Sequence, residues 1–298
     1  MTDARRPLRG LVRRARRRLF AADDPEATWF RDHFENAPAE IGSFLRGADV
    51  DLRGLRVADV GCGDGIMALG VARRLSPAEL VGFDVNVTDT EGLFARARAQ
   101  RAVDALPENL TFTQCTPTRL PAPDASFDLV YTWSAFEHVQ DPVAVLTEIN
   151  RVLGPDGLLF LQLWPFYLSE RGSHLWDWFP QPFHHLLSSD EEIEAAMMAA
   201  ATGDDFMPGY MLDEFKKLNR ISLDGLQDAL LTAGFDILRL ELITHLVSLD
   251  PELARRHRLL DLGTGGVKLL ARPTPSSSAG RGAPVAREVA EPEEPAEQ

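Results

Sequence analysis

Short apolar runs and helical stripes alternate along the middle of this chain. Residues Arg56-Val57-Ala58-Asp59-Val60 form an apolar run of strand length that ends in glycines. Ile66, Leu69, Gly70 and Leu75 then recur at helical spacing, which predicts a helix over 66–75. The rhythm continues with a strand at 80–84, an Ala- and Arg-rich helix at 91–103, an alternating strand at 110–114, a strand at 127–132 and a helix at 143–153. Gly154-Pro155-Asp156-Gly157 is a strong turn signal. Residues 158–163 are continuously apolar, as a parallel strand buried on both faces should be. Repeated alternation of this kind predicts a doubly wound α/β sheet.

After Trp164 the rhythm breaks. Residues 165–220 do not alternate, and the pattern there predicts one helix, over 189–201. A second helix over 222–232 starts at Ser222 as N-cap and stops at Gly234, followed by closing strands at 235–244 and 266–271. The expected organisation is a helical lead-in over 1–49, one Rossmann-like domain over 50–272 with an insertion at 165–220, and a tail over 273–298. That tail is rich in Pro, Ser, Ala and Glu and too poor in large apolar residues to offset its ordering entropy, so it is expected to be disordered.

The stretch Val57-Ala58-Asp59-Val60-Gly61-Cys62-Gly63-Asp64-Gly65 carries the chemistry. An apolar strand leads past an acid into three glycines at spacing two and opens into a helix. Glycines let the backbone turn tightly and approach a ligand, and the helix start offers free N–H groups. Asp84 lies nineteen residues beyond Gly65, at the end of the second predicted strand. A carboxylate there is placed to accept hydrogen bonds from the hydroxyls of a ribose. The glycines do not follow the dinucleotide fingerprint Gly-x-Gly-x-x-Gly, because position 66 is Ile.

This pattern resembles motif I of the class I S-adenosylmethionine-dependent methyltransferases, of the small-molecule group. The resemblance continues through Val81-Gly82-Phe83-Asp84-Val85, Phe127-Asp128-Leu129-Val130, Glu137-His138-Val139-Gln140-Asp141-Pro142 and Leu153-Gly154-Pro155-Asp156-Gly157-Leu158. It covers about residues 55–164. It implies a seven-stranded Rossmann-like sheet with helices on both faces, S-adenosylmethionine as cofactor and a helical, aromatic insertion after strand 5. It also implies roles. Gly61, Gly63 and Gly65 would line the methionine part of the cofactor, with Asp59 near its amino group, and Cys62 and Asp64 between the glycines would also bind the cofactor. Asp84 would hold the ribose, Val85 would pack on adenine, and Trp133 would sit by the sulfonium. Relatives often carry Gly-Asp after the third strand, where the acid meets the adenine amino group. Here Cys115-Thr116 stands there, and a hydroxyl accepts only a weaker, neutral hydrogen bond.

The insertion should supply the acceptor site. Seven aromatics fall between Trp164 and His185: Trp164, Phe166, Tyr167, Trp176, Trp178, Phe179 and Phe183. They wall an acceptor pocket or they form the insertion's own core; both readings stay open. A histidine could serve as general base, His174 first, with His138 read rather as a helix-start residue near the pocket floor. His174, Asp177, His184 and His185 are of metal-ligand type but lack a tight ligand spacing such as His-Glu-x-x-His, so no metal site is assigned. Arg220 could meet an anionic acceptor group, though a surface arginine is the simpler reading.

Composition and charge narrow the function classes. Of 298 residues, 45 % are hydrophobic and 26 % charged, which excludes fibrous and wholly disordered readings. The first 18 residues hold eight arginines and one acid, a net of +7, so the formal charge of −14 leaves −21 on the remaining residues. An acidic body is a poor nucleic-acid binder. Trp133-Ser134-Ala135-Phe136 also differs from the Asn/Asp-Pro-Pro-aromatic loop of amino-methylating nucleic-acid enzymes. No run is long and apolar enough to span a bilayer, and two separated cysteines make no disulfide framework, so a cytoplasmic location is expected. Leu8, Leu11, Val12, Ala15 and Leu19 form an apolar stripe among the arginines. Residues 1–20 therefore offer a contact for an anionic membrane surface or an acidic partner, or else a solvated lead-in. The resemblance implies a small-molecule acceptor: a sugar, a polysaccharide precursor or a secondary metabolite. A quinone or lipid acceptor is the nearest enzymatic rival, and a non-catalytic cofactor-binding partner is the reading from another class.

Overall fold

The computed structural model describes residues 24–201 and 207–275. Seven strands form one sheet in the order β3-β2-β1-β4-β5-β7-β6. They are β1 (Arg56–Val60), β2 (Glu79–Asp84), β3 (Leu110–Gln114), β4 (Phe127–Trp133), β5 (Leu153–Leu163), β6 (Phe235–Thr244) and β7 (Thr264–Pro273). The first five pair in parallel, and β7 runs antiparallel to both β5 and β6. This is the expected seven-stranded sheet. The strand order reverses beside β1, which puts a crevice at the carboxyl ends of β1 and β4, where open α/β sheets bind ligands.

Alternate strand residues feed opposite faces. Val57, Leu129, Tyr131 and Phe160 join one core with α3 (Ile66–Leu75) and α4 (Thr90–Ala99). Ala58, Val130, Leu159 and Leu161 join the other core, against α5 (Pro142–Val152) and α9 (Leu223–Thr232). Between these helices in the chain lie α6 (His184–Leu187), α7 (Asp190–Ala200) and α8 (Met207–Lys216), all within the insertion. Helices α10 (Pro251–Arg256) and α11 (Leu259–Leu262) precede β7.

Ahead of the sheet, α1 (Pro25–Arg31), a π-helical turn (Asp32–Asn36) and α2 (Ala37–Arg46) run as one helical stretch. Phe30, Phe34, Ala37, Ile41 and Phe44 recur at helical spacing, are buried, and join the same core as α3. Gly70 of α3 permits this approach, since a Cβ there would lie 2.5 Å from the Phe34 carbonyl oxygen. Buried Lys268 of β7 pairs with Glu40 of α2 and with Glu241 at 3.5 Å. The boundary expected at residue 50 therefore falls inside a shared core. The basic segment 1–20 and the tail from residue 276 onward lie outside the described residues. Residues 273–275 do not: β7 runs to Pro273, and the Thr274 N–H donates to Gly234 O at 2.8 Å.

Most expected elements form within a residue or two of their predicted ends. The turn at 154–157 is present as an irregularity inside β5. Phe127 opposes Leu153 and Leu129 opposes Leu158, so the extra residues bulge out of the pairing. The helix expected over 91–103 ends at Ala99, because Arg101 takes a left-handed conformation (φ 55°). Of the insertion's aromatics, Phe166 joins the core shared with the sheet, and others build the insertion's own. Tyr167 and Phe183 are buried in the insertion's own core with Leu175, Ile193, Met197 and Phe215, and Trp178 and Phe179 pack on it. Trp164 stays 40 % exposed and lies 6.2 Å, centroid to centroid, from Trp176.

Candidate functional site

The glycine loop hooks over the end of β2. The N–H groups of Gly61 and Cys62 both donate to Phe83 O, at 2.8 and 3.1 Å. Gly61, Gly63 and Gly65 all adopt positive φ (85°, 52° and 79°). At Gly61 a Cβ would lie 2.5 Å from the Ala135 Cβ, so only glycine lets the loop after β4 close down on it. At Gly63 a Cβ would meet nothing within 4 Å, which leaves that backbone open to a ligand.

Asp84 stands half-buried at the end of β2. One carboxylate oxygen accepts the Gly63 N–H (2.9 Å) and the other the Asn86 N–H (2.8 Å). It thus ties the two halves of the crevice together, and its remaining lone pairs suit ribose hydroxyls. Beyond it, Val85 and Val87 are 47 % and 74 % exposed, an apolar edge fit for a purine. Cys115 donates its N–H to Asp84 O at 2.8 Å, and Thr116 is occupied in a turn with Arg119. Half-buried Trp133 packs on Phe160, with ring centroids 6.3 Å apart. The following residue, Ser134 (φ 45°), donates from both N–H and Oγ to Gln162 Oε1, at 2.8 and 3.0 Å.

The side chains of Cys62 and Asp64 are engaged by the protein, and Asp59 is engaged through one oxygen. Cys62 is buried against Gly82 and lies 3.6 Å from Thr88 Oγ1. Burial pushes its thiol well up, and burial with nearby Asp84 pushes Cys115 up to about 11, so both stay protonated at neutral pH. Asp64 accepts from the Ile66 N–H and pairs with Arg96 and the Trp29 indole N–H, at 3.0 and 3.1 Å. Asp59 is completely buried. The Tyr131 hydroxyl donates to one of its oxygens at 2.9 Å, and the other has no partner. Burial raises its pKa to about 8; the Tyr131 hydrogen bond opposes this and the charge of Asp84 adds to it.

A second polar cluster lies on the loop after β4. The 3-10 turn Phe136–His138 presents Glu137 and His138, and the insertion brings His174 against them. One ligand-type atom from each of the three lies within 4.8 Å of the others. The His138 and His174 rings meet edge to face at 5.4 Å, and Trp176 stacks on His174 at 6.3 Å. Glu137 is 2 % exposed and neither carboxylate oxygen has a hydrogen-bond partner. Burial pushes it up to about 8, against a smaller pull from its own backbone N–H. Burial depresses His174 to about 4, with His138 and His185 adding repulsion, and burial likewise lowers His138. The side-chain amide of Asn219 donates to Phe136 O (2.7 Å) and Val139 O (3.0 Å), and its N–H donates to Glu137 O (2.8 Å). That residue clamps the turn from the far end of the insertion. His174 holds a left-handed conformation (φ 64°) two residues after Gly172, where a Cβ would lie 2.0 Å from Tyr167 O.

The other predicted polar residues of the insertion do not join this cluster. His185 is buried with Nε2 donating to Tyr167 O at 2.7 Å, His184 stacks on Phe179, and Asp177 is exposed. Arg220 pairs with Asp190 at 2.7 Å and lies over the Tyr167 and Phe215 rings, so it braces the insertion.

Residues 58–161 match the family described as "Methyltransferase domain". This segment is a methyltransferase domain. Among curated relatives, an uncharacterized methyltransferase of Schizosaccharomyces pombe is 36 % identical over 107 residues, 34 % of this chain and 37 % of its own. A ubiquinone biosynthesis O-methyltransferase of Neisseria meningitidis is 36 % identical over 110 residues, 37 % of this chain and 44 % of its own. A sterol 24-C-methyltransferase of Gibberella zeae is 34 % identical over 111 residues, 37 % and 28 %. The chain spans less than half the length of these relatives. Two solved structures share the fold: a candidate sarcosine dimethylglycine methyltransferase of Galdieria sulphuraria (17 % identity, 80 % of this chain and 86 % of that one, TM-score 0.51) and a geranyl diphosphate methyltransferase (14 %, 85 % and 92 %, TM-score 0.50).

The cofactor of such a domain is S-adenosylmethionine, and this methyltransferase domain fits it. The open backbone at Gly63, the exposed valines past Asp84 and the unpartnered Asp59 oxygen offer, respectively, room for the methionine chain, a purine wall and an acceptor for a cation. The charge of Asp84 bears on Asp59, and a cationic ligand beside the pair would relieve it. Glu137 stands in a sequence motif that assigns it no role, and no motif assigns one to Tyr131, Gln162 or Asn219. For Glu137 a signal existed: an acid beside His138 in an otherwise apolar turn. For Asn219, far away in the chain, none did. No helix among the described residues is long and apolar enough to cross a membrane.

Proposed function

We propose that this chain transfers a methyl group from S-adenosylmethionine to a small-molecule acceptor held beneath the 165–220 insertion. The observation that carries the reading is the glycine loop, with three positive-φ glycines closed by Ala135 on one side and tied to Asp84 on the other. The bound cofactor supplies an electrophilic methyl group on a sulfonium. The residues of the chain then act by position. The loop backbone and Asp84 hold the cofactor, and Trp133 bounds the reacting side with an apolar surface. Displacement at a sulfonium is favoured in a dry, aligned site, because charge is dispersed on the way to the transition state.

The acceptor is read from the insertion, because the family match ends at residue 161. A cleft of about 170 Å³ there is lined by Glu170, Arg171, Trp176, Phe179, Gln181 and His184 among others. Aromatic faces beside hydrogen-bonding groups suit a hydroxylated metabolite, such as a sugar derivative or secondary metabolite. A quinone or lipid acceptor is the second reading, favoured by the names of the ubiquinone and sterol relatives. His174 and His138 are the expected bases; being neutral at pH 7 they can accept a proton, but burial makes both weak bases.

Calorimetric titration with S-adenosylmethionine, followed by S-adenosylhomocysteine release with panels of hydroxylated metabolites and of quinols, tests the reading. Saturable binding and turnover with one panel are expected. Absence of binding would overturn it, and binding without turnover on any acceptor would favour a non-catalytic partner.

A further inference from the structure

We propose that Glu137, His138 and His174 form a binding site for one divalent transition-metal ion of the zinc class. Two imidazoles and a carboxylate converge, each offering one ligand atom within 4.8 Å of the others. Metal–ligand bonds of about 2.0–2.2 Å place tetrahedral donors about 3.3–3.6 Å apart, a spacing within that bound. The groups are poised for such a partner. Both oxygens of Glu137, Nδ1 of His138 and Nε2 of His174 are buried without any hydrogen-bond partner. Leaving such groups unpaired is costly, and native structures leave few of them. Glu137, at 2 % exposure, is the most confined of the three and is aimed at the imidazoles rather than at solvent.

The surroundings hold the set in place. Asn219 fixes the turn that carries Glu137 and His138. Tight packing of Gly172 on Tyr167 O leads the chain into the left-handed turn at His174. Glu214 adds a second carboxylate at the edge, 3.6 Å from His138 Nδ1. Mixed nitrogen and oxygen donors select zinc, iron, manganese or cobalt over magnesium and calcium, which prefer all-oxygen sites. Three protein ligands leave a fourth position for water or an acceptor oxygen, whose pKa a bound metal lowers. The ligands come from segments 36 residues apart in sequence, so no ligand spacing announces them.

Metal binding at this site needs no cofactor, so it is tested without one. Full-length protein is stripped with chelator and titrated calorimetrically with ZnCl2, and separately with MgCl2. One equivalent of Zn2+ at micromolar affinity or tighter is expected, with no Mg2+ binding. Glu137→Gln and His174→Ala should each weaken Zn2+ binding by about 100-fold or more, beyond the roughly 10–100-fold typical of outer-shell changes, while His33→Asn, outside the cluster, should leave it unchanged. Substoichiometric uptake, or equal affinity in Glu137→Gln and wild type, overturns the proposal. Should His174→Ala fail to fold, the near-isosteric Glu137→Gln decides it: the visible absorption of bound Co2+ should be present in wild type and lost in that variant.

Discussion

Two polar centres stand at the carboxyl edge of the same sheet, and they are made by opposite means. The glycine loop is a backbone construction. Its carboxylates Asp64 and Asp84 are already engaged by N–H groups, an indole and a guanidinium, and its open surface is main chain. The cluster of Glu137, His138 and His174 is a side-chain construction whose polar atoms are buried and unpaired. A loop with satisfied side chains can wait in water for a ligand at little cost. A cluster with unsatisfied ones carries an energetic debt until something binds. Asp59 belongs structurally to the first centre yet resembles the second, with one oxygen paired to Tyr131 and the other unpaired.

The largest effect expected from separating the centres is at Gly61. Gly61→Ala places a methyl 2.5 Å from the Ala135 Cβ at a φ of 85°. Strain and overpacking together should cost about 3 kcal/mol of stability. Cofactor affinity should fall by more than about 100-fold, as read by calorimetry, since each 1.4 kcal/mol is tenfold. Wild-type affinity in a folded Gly61→Ala protein would show that the loop is not the cofactor's cradle. Next comes Asp84→Ala, which removes a charged acceptor of two backbone N–H groups as well as the ribose ligand. Its expected loss is about 1.5–3 kcal/mol of cofactor binding, or roughly 10–100-fold. Zn2+ affinity should be untouched by Asp84→Ala, and a coupled loss there would merge the two centres into one.

The contrast also accounts for what could be read from the chain itself. Backbone sites write themselves locally: glycines at 61, 63 and 65 and an acid at the end of the next strand are needed at fixed spacing, so the motif and the first five strands are legible. The side-chain cluster draws on a 3-10 turn, a left-handed turn at His174 and a clamp at Asn219, which no short window contains. The lead-in shows a third case. Its stripe of Phe30, Phe34, Ala37, Ile41 and Phe44 is periodic enough to announce a helix, but only the contact of Phe34 with Gly70 reveals that it shares the main core.

Smaller in size is the pH dependence of stability in the ligand-free protein. Asp59 and Glu137 both have folded-state pKa values near 8, above their ordinary values near 4. Raised acids contribute stability that is full below the unfolded pKa and lost as pH rises through the folded one. The depressed histidines, His174 and His185, act in the opposite sense only between about pH 4 and 6.5. Stability should therefore fall between about pH 6.5 and 8, with each acid contributing at most about 1.4 kcal/mol per pH unit. Asp59→Asn should remove about half of this slope in urea denaturation. A slope unchanged by Asp59→Asn would mean that the carboxyl is ionised in the folded protein, and the likeness between Asp59 and the cluster would be lost.

The smallest effect tests whether the second centre is held from outside. Asn219 gives two side-chain hydrogen bonds to the turn that carries Glu137 and His138, and it sits at the far end of the insertion. In Asn219→Ala those carbonyls lose neutral, half-buried bonds, a cost of about 1–3 kcal/mol at 0.5–1.5 each. Were the cluster rigid on its own, only global stability would change. If Asn219 positions it, Zn2+ affinity and turnover fall together while cofactor affinity stays at the wild-type value, because the loop at 61–65 makes no bond with Asn219. The 3-10 turn sits directly after Ala135, the residue that closes on Gly61, so the two centres share a chain segment and differ in what holds it. A loss of cofactor affinity in Asn219→Ala equal to the loss of Zn2+ affinity would mean that this segment moves as one piece, and that the insertion sets the shape of the glycine loop as well as its own roof.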